Sequence, residues 1–152
     1  MDLGDGRSRC GFDPRRVHQN CILNNMLTTY ENTNKQGNAG IGIAIAWFTS
    51  NGYTVSVPLT DTQDYDLIVD NNKPARVQIK TTTYQRRDVY YVSLTVKGGN
   101  RSGTGKIKKF NASNVDFVFI VTGNDTKYLI PSTAIATQSS ITLSTKYDLY
   151  KI

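Results

Sequence analysis

Hydrophobic and polar residues change rhythm twice along this chain of 152 residues. Residues 1 to about 33 are polar, with scattered Gly, Asn and Arg and no strong period. A short helix over Arg15 to Leu27 is one reading of that stretch, and an arm wrapped on a neighbouring surface is the other. From Gln36 to Asn51 the text becomes QGNAGIGIAIAWFTSN. Ala39, Ile43, Ala46 and Trp47 recur at helical spacing, and Asn51-Gly52 closes the run as a C-cap does. Gly37, Gly40 and Gly42 weaken the first turns of that helix. They also permit close approach, either of a packed sheet or of a phosphate backbone, and packing is the plainer use.

After the helix the period drops to two. YTVSVP, residues 53 to 58, reads as a strand stopped by Pro58. YDLIVD follows, then NNKP as a turn, then ARVQIKTTTY as a second strand. DVYYVSLTV, residues 88 to 96, alternates again. VDFVFIVTG, residues 115 to 123, is nearly continuous apolar text, as in a strand covered on both faces. TKYLIPS is one more strand, ended by Pro131, and the tail SITLSTKYDLYKI is mixed. One helix followed by strands predicts an α+β fold with a mixed central sheet and the helix packed on it.

The hairpin from Gln63 to Lys80 carries the candidate chemistry. Its apolar sets are Tyr65, Leu67 and Val69 on one strand and Val77 and Ile79 on the other. Those sets must reach the core together, which fixes the register because side chains alternate between faces. Paired positions then sum to 144, with the turn centred on Asn72. Asp66 falls opposite Gln78, and Asp64 opposite Lys80. Directly opposed residues have Cβ atoms roughly 4.5–5.5 Å apart, so Asp66, Gln78 and Lys80 are predicted to converge. A carboxylate, an amide oxygen and the backbone carbonyl of Ile79 suit a hard cation such as magnesium, with manganese as a substitute. Such an ion polarises a phosphodiester and acidifies water, and Lys80 stabilises the charge that builds on phosphorus-bound oxygen. The bland alternative is a solvated polar strand face.

Composition narrows the partners. The formal charge is +6, a balance that suits a polyanion. Cys10 and Cys21 flank the single histidine, His18, which is too few ligands for a structural zinc site. Both cysteines are read as reduced thiols of a cytoplasmic protein. No apolar run approaches the length of a membrane span, and the first residues lack the apolar core of a signal peptide.

The order helix, strand, YD, hairpin and QxK resembles the PD-(D/E)XK nuclease core. More closely, QGNAGIGIAIAWFTSNGYTVSVPLTDTQDYDLIVD followed by ARVQIKTTTY resembles the PD-(D/E)XK homing endonucleases encoded within cyanobacterial group I introns. The likeness runs from about Asn34 to the C-terminus, which divides the chain into an extension at 1–33 and a nuclease domain at 34–152. It implies a restriction-endonuclease-like fold and magnesium-dependent, site-specific cutting of double-stranded DNA. Asp66 is implied as the metal-binding acid, Gln78 occupies the second acidic position, and Lys80 is the implied catalytic lysine. Two departures stand out. Gln78 is neutral, and Ile41 occupies the place where the first helix of many relatives carries a glutamate. Asp64 or Glu31 is then a candidate for the missing carboxylate.

Under this reading the basic loop KGGNRSGTGKIKKF meets DNA through Lys97, Arg101, Lys106, Lys108 and Lys109, among glycines that allow a close backbone approach. Arg86 and Arg87, just past the catalytic strand, are candidate phosphate anchors beside the cut. A solvated basic loop is the bland alternative. A long target and two cuts call for a dimer or tetramer. Ile141, Leu143, Tyr147, Leu149 and Tyr150 could serve assembly or ordinary packing. The competing function is a catalytically degenerate DNA-binding module of the same fold. A structural or RNA-processing domain has only the basic charge behind it.

Overall fold

The computed structural model describes residue 27 and residues 32–60, 62–97, 107–137 and 139–152. The predicted helix forms as α1 (Thr33–Ser50). It starts three residues before the expected Gln36, because Asn32 caps it: the Asn32 side chain accepts the Asn34 N–H at 2.8 Å. Its end is as predicted. Gly52 takes φ +81, and the Gly52 and Tyr53 N–H groups return to the carbonyls of Thr49 and Phe48.

Among the described residues ten strands follow: β1 (Thr54–Ser56), β2 (Leu67–Asp70), β3 (Pro74–Thr82), β4 (Gln85–Arg86), β5 (Val89–Ser93), β6 (Val96–Lys97), β7 (Ile107–Lys108), β8 (Phe117–Thr122), β9 (Lys127–Pro131) and β10 (Ser140–Thr142). The central sheet has the order β1-β2-β3-β8-β9. β3 and β8 run parallel and the other pairs antiparallel, so the sheet is mixed, as expected. The expected strand over residues 88 to 96 divides into β5 and the start of a two-stranded ribbon, β6–β7. The loosely read tail becomes β10, paired with β5, and a 3-10 helix at Thr145–Tyr150.

Each face of the central sheet has its own core. On one face α1 lays Ala44 and Phe48 against Leu67, Val69, Val77, Ile79, Phe119 and Val121, and Leu27 joins this cluster. On the other, Val118, Ile120 and Ile130 pack against Val92, Leu94, Ile141 and Tyr147. β8 alternates between the two cores, so almost every residue of it is apolar and buried. Burying one such side chain contributes about 1.5–3 kcal/mol, so β8 is the sheet's anchor. Ile141, Leu143 and Tyr147 therefore pack inward, while Leu149 stays exposed. Among the described residues no helix is long and apolar enough to cross a membrane.

Candidate active site

β2 and β3 pair in the register expected from the apolar alternation. Leu67 faces Val77 and Asp70 faces Pro74, and Asn72, with φ 70, sits at the centre of the turn. Asn tolerates that left-handed backbone better than most residues. The pairing stops sooner than expected. β2 begins at Leu67, and the Asp66 N–H already shifts to the Val77 carbonyl at 2.9 Å. Asp64 does not reach a position opposite Lys80. Its carboxylate accepts from Asn114 Nδ2 at 2.6 Å and pairs with the Lys108 ammonium. Those partners draw the chain off the ladder and hold the Asp64 carboxyl below the usual carboxylate range, the Lys108 hydrogen bond foremost. Lys108 is correspondingly engaged in an ion pair.

The early end of β2 makes a notch. β3 runs on to Thr82 with β8 on one side and nothing of β2 on the other. The N–H and C=O of a strand residue point to the same side. The Ile79 N–H points into the notch, donating to Asp66 Oδ2 at 2.6 Å, so the Ile79 carbonyl faces it too. A cavity of about 570 Å³ occupies this place. Asp66, Ile79, Lys80 and Thr95 line it from the sheet side, and Gln36 and Ile41 line it from α1. Gly40 lets the helix come this close, for a Cβ there would lie 2.2 Å from Thr81 Cγ2. Gln36 Nε2 also donates to Thr81 Oγ1 at 3.4 Å.

Asp66 and Lys80 sit partly buried in this notch. Burial pushes the Asp66 carboxyl up, against the Ile79 N–H and the charge of Lys80. Burial pushes the Lys80 ammonium down, and the charge of Asp66 opposes it. Lys80 Nζ donates to the Thr95 carbonyl at 3.3 Å. Perturbed groups of opposite charge in one cleft are a mark of functional sites.

Gln78 does not join Asp66 and Lys80 as expected, because the β2–β3 ladder ends at Leu67–Val77 before the Asp66–Gln78 pair forms. It is buried, and its Oε1 has no hydrogen-bond partner among the described residues. It does not line the cavity wall with Asp66 and Lys80. The layer of β5 and β10 covers this face of β3, and an orphaned buried carbonyl costs about 1–3 kcal/mol there. In the notch itself the hard oxygen donors are Asp66 and the Ile79 carbonyl, which suit a divalent ion, while the Gln78 oxygen lies off the cavity wall. The set carries one formal negative charge. Among the described residues no three His, Cys, Asp or Glu side chains gather. Ile41 occupies the cavity wall where an acid was sought, and Glu31 lies outside the described residues.

The basic candidates scatter. Arg86 and Arg87 are exposed on the β4–β5 hairpin. Lys97 belongs to the β6–β7 ribbon, beside which Lys109 is exposed. Arg101 and Lys106 lie outside the described residues. The sequence reading missed two groups. One is the Thr95 carbonyl, a backbone atom that no side-chain pattern marks. The other is Asp116, which accepts the Arg76 N–H at 2.7 Å and pairs with the Arg76 guanidinium at 3.0 Å, tying the start of β3 to β8.

The model of the PD-(D/E)XK endonuclease family matches residues 31–148, most of the chain. This protein belongs to the PD-(D/E)XK endonuclease family. The fold is also similar to that of a bacterial homing endonuclease, I-Ssp6803I, with a TM-score of 0.59 and 24% identity over 71% of this chain and 75% of that one. The Holliday junction resolvase Hjc of the archaeal hyperthermophile Archaeoglobus fulgidus matches more loosely, with a TM-score of 0.45 and 11% identity over 77% of this chain and 90% of that one. No curated protein matches. PD-(D/E)XK nucleases generally use divalent metal ions, and the notch offers oxygen donors for one.

Proposed function

We propose that this protein is a magnesium-dependent, site-specific endonuclease of double-stranded DNA, of the intron-homing kind found in cyanobacterial group I introns. The observation that carries the reading is the shared notch. Asp66, the Ile79 carbonyl and Lys80 meet at an open strand edge. A bound magnesium ion would supply Lewis-acid polarisation of the scissile phosphate and an acidified water. Asp66 and the Ile79 carbonyl would hold it, and manganese could replace it. Lys80 supplies a cation to the charge that builds on the phosphoryl oxygens. Its bond to the Thr95 carbonyl orients the ammonium, and the charge of Asp66 helps keep it protonated.

Residues 34–152 act as the nuclease unit and residues 1–33 as an extension. Arg86, Arg87, Lys97, Arg101, Lys106 and Lys109 supply contacts to DNA, with Lys108 shared with Asp64. A double-strand break needs two such sites, so a dimer or tetramer working in the cytoplasm fits the reading. The test is a nicking assay on a plasmid carrying the intronless homing-site region. Lys80→Ala should bind that DNA and fail to cut. Cutting by this variant at the parent's rate would sink the assignment. A second reading, a DNA-binding module that has lost catalysis, is favoured by Ile41 in the cavity wall. It wins if the parent protein in excess, with magnesium, binds the target and leaves it intact.

A further inference from the structure

The β4–β5 hairpin carries more than two phosphate anchors. Gln85 pairs with Tyr90 and Arg86 with Val89, so only Arg87 and Asp88 make the turn. Both have positive φ, 52 and 61. A two-residue turn of that hand ordinarily uses Asn-Gly. Asp tolerates the left-handed region, but Arg gains nothing from it. Strain of this kind persists where function holds it.

The hairpin has an inner and an outer face. Val92 is buried and Tyr90 packs against the core, so Val89 and Tyr91 turn outward. Tyr84 and Arg86 lie opposite them on the same outer face. The Tyr84 ring is 64% exposed and leans on Tyr91 at 5.8 Å between centroids. Its backbone is held firmly. Tyr84 N–H donates to Thr82 Oγ1 at 3.2 Å, Tyr91 N–H donates to the Tyr84 carbonyl at 3.1 Å, and Thr82 Oγ1 donates to the Tyr91 carbonyl at 2.6 Å. Thr82 ends β3, two residues beyond Lys80. Four residues of extended chain span about 13 Å, so Tyr84 stands within about four base steps of the notch. Among the described residues neither Arg86 nor Arg87 forms an ion pair.

We propose that this outer face is a stacking platform for an unpaired DNA base, with Tyr84 as the ring and Arg86 and Arg87 on the adjoining phosphates. The proposal rests on the nuclease reading and adds a substrate preference to it: DNA that is open next to the cut. An exposed ring between cations suits a base, which offers a π face beside a negative backbone. A sealed duplex offers only the second.

Fluorescence anisotropy in calcium separates the readings. The probes are two labelled DNAs carrying the intronless homing-site region, a full duplex and the same duplex with a short single-stranded gap. The protein should bind the gapped DNA about fivefold or more tightly, the worth of one stacked base. Tyr84→Phe should keep that preference, and Tyr84→Ala should lose it while still binding duplex. The double change R87N/D88G should weaken binding to both DNAs severalfold while raising the thermal midpoint by about 2 °C or more. Equal binding of the two DNAs by the parent, or an unchanged preference in Tyr84→Ala, overturns the platform and leaves the nuclease reading in place. No binding to either DNA overturns both.

Discussion

Gly40 decides how near α1 lies to β3. A Cβ added there would meet Thr81 Cγ2 at 2.2 Å, whereas the next atoms, Ile79 Cγ2 and Thr81 Cβ, stand at 3.6 and 3.7 Å. Carbon atoms rest at about 3.5–4.0 Å, so Gly40→Ala requires a separation of about 1.5 Å between helix and strand, or a rotated Thr81. Rotation is hard because Thr81 is β-branched, and it would move Oγ1 away from Gln36. Overpacking of this kind costs about 1–3 kcal/mol, and the helix regains about 0.5–1 kcal/mol from losing a glycine. An approach of 2.2 Å puts the overpacking cost in the upper half of that range, so the net expectation for Gly40→Ala is a loss of about 1–2.5 kcal/mol. Thr81→Ser removes the one offending methyl and keeps the hydroxyl. The double variant should therefore recover at least about 1 kcal/mol relative to the sum of the singles. Urea titrations of the four proteins at equal m-value measure this. A Gly40→Ala protein as stable as the parent, or strictly additive singles, would refute the close approach of α1 to Thr81. The contact also bears on function, since a displaced α1 carries Gln36 and Ile41 away from the notch.

Other expectations follow from charge. The raised pKa of Asp66 means that ionising it costs the native state stability, a cost absent below the unfolded value of 3.8 and complete above the folded value. Asp66→Asn should match the parent in acid and exceed it in stability once the pH has passed that window. For Lys80 the folded pKa lies below 10.5, so the cost is present at neutral pH and vanishes as the pH rises towards 10.5. Lys80→Met should be more stable than the parent at pH 7, and denaturation curves that show either variant weaker there would contradict the burial argument. Ile41→Glu should give the notch its second carboxylate and tighten calcium binding, read by calorimetry without DNA, by about tenfold. An unchanged affinity in a folded variant would place Ile41 away from the ion. Asp116→Ala should cost about 1–2 kcal/mol, because it leaves the Arg76 N–H unpaired at the start of β3. Thermal melts that shift by less than about 2 °C would assign that anchor no weight.

The register of the central hairpin was legible because Leu67, Val69, Val77 and Ile79 must be buried together, which fixes its parity, and the turn centred on Asn72 selects one of the pairings left. The end of the pairing was not. Asp64 leaves the ladder because Asn114 and Lys108 take its carboxylate, and Asn114 is 50 residues away in sequence. Gln78 reads as a surface residue when the strand is considered alone. It becomes buried because β5 and β10 bring a second core to that face, and no period within β3 announces a layer built elsewhere. The glycines of α1 were legible only as a group. Gly37 and Gly42 have nothing within reach of an added Cβ, and only Gly40 touches the strand. Local pattern thus found the central strands and the turn, and distant partners decided which side chains are buried and where the sheet opens.

That division explains the chemistry of the notch. A solvated Asp66 and Lys80 would keep ordinary pKa values and attract a cation weakly, as water does most of the screening. Burial in the notch disfavours each charged form, so each gains from an added opposite charge. Under the nuclease reading, a divalent cation beside Asp66 and a phosphate beside Lys80 would bring those charges together. With Ile41 in place of a second acid, neither is well compensated alone. The coupling has a direct consequence under the nuclease reading: calcium affinity should rise when DNA is present, and DNA affinity should rise by the same factor when calcium is present.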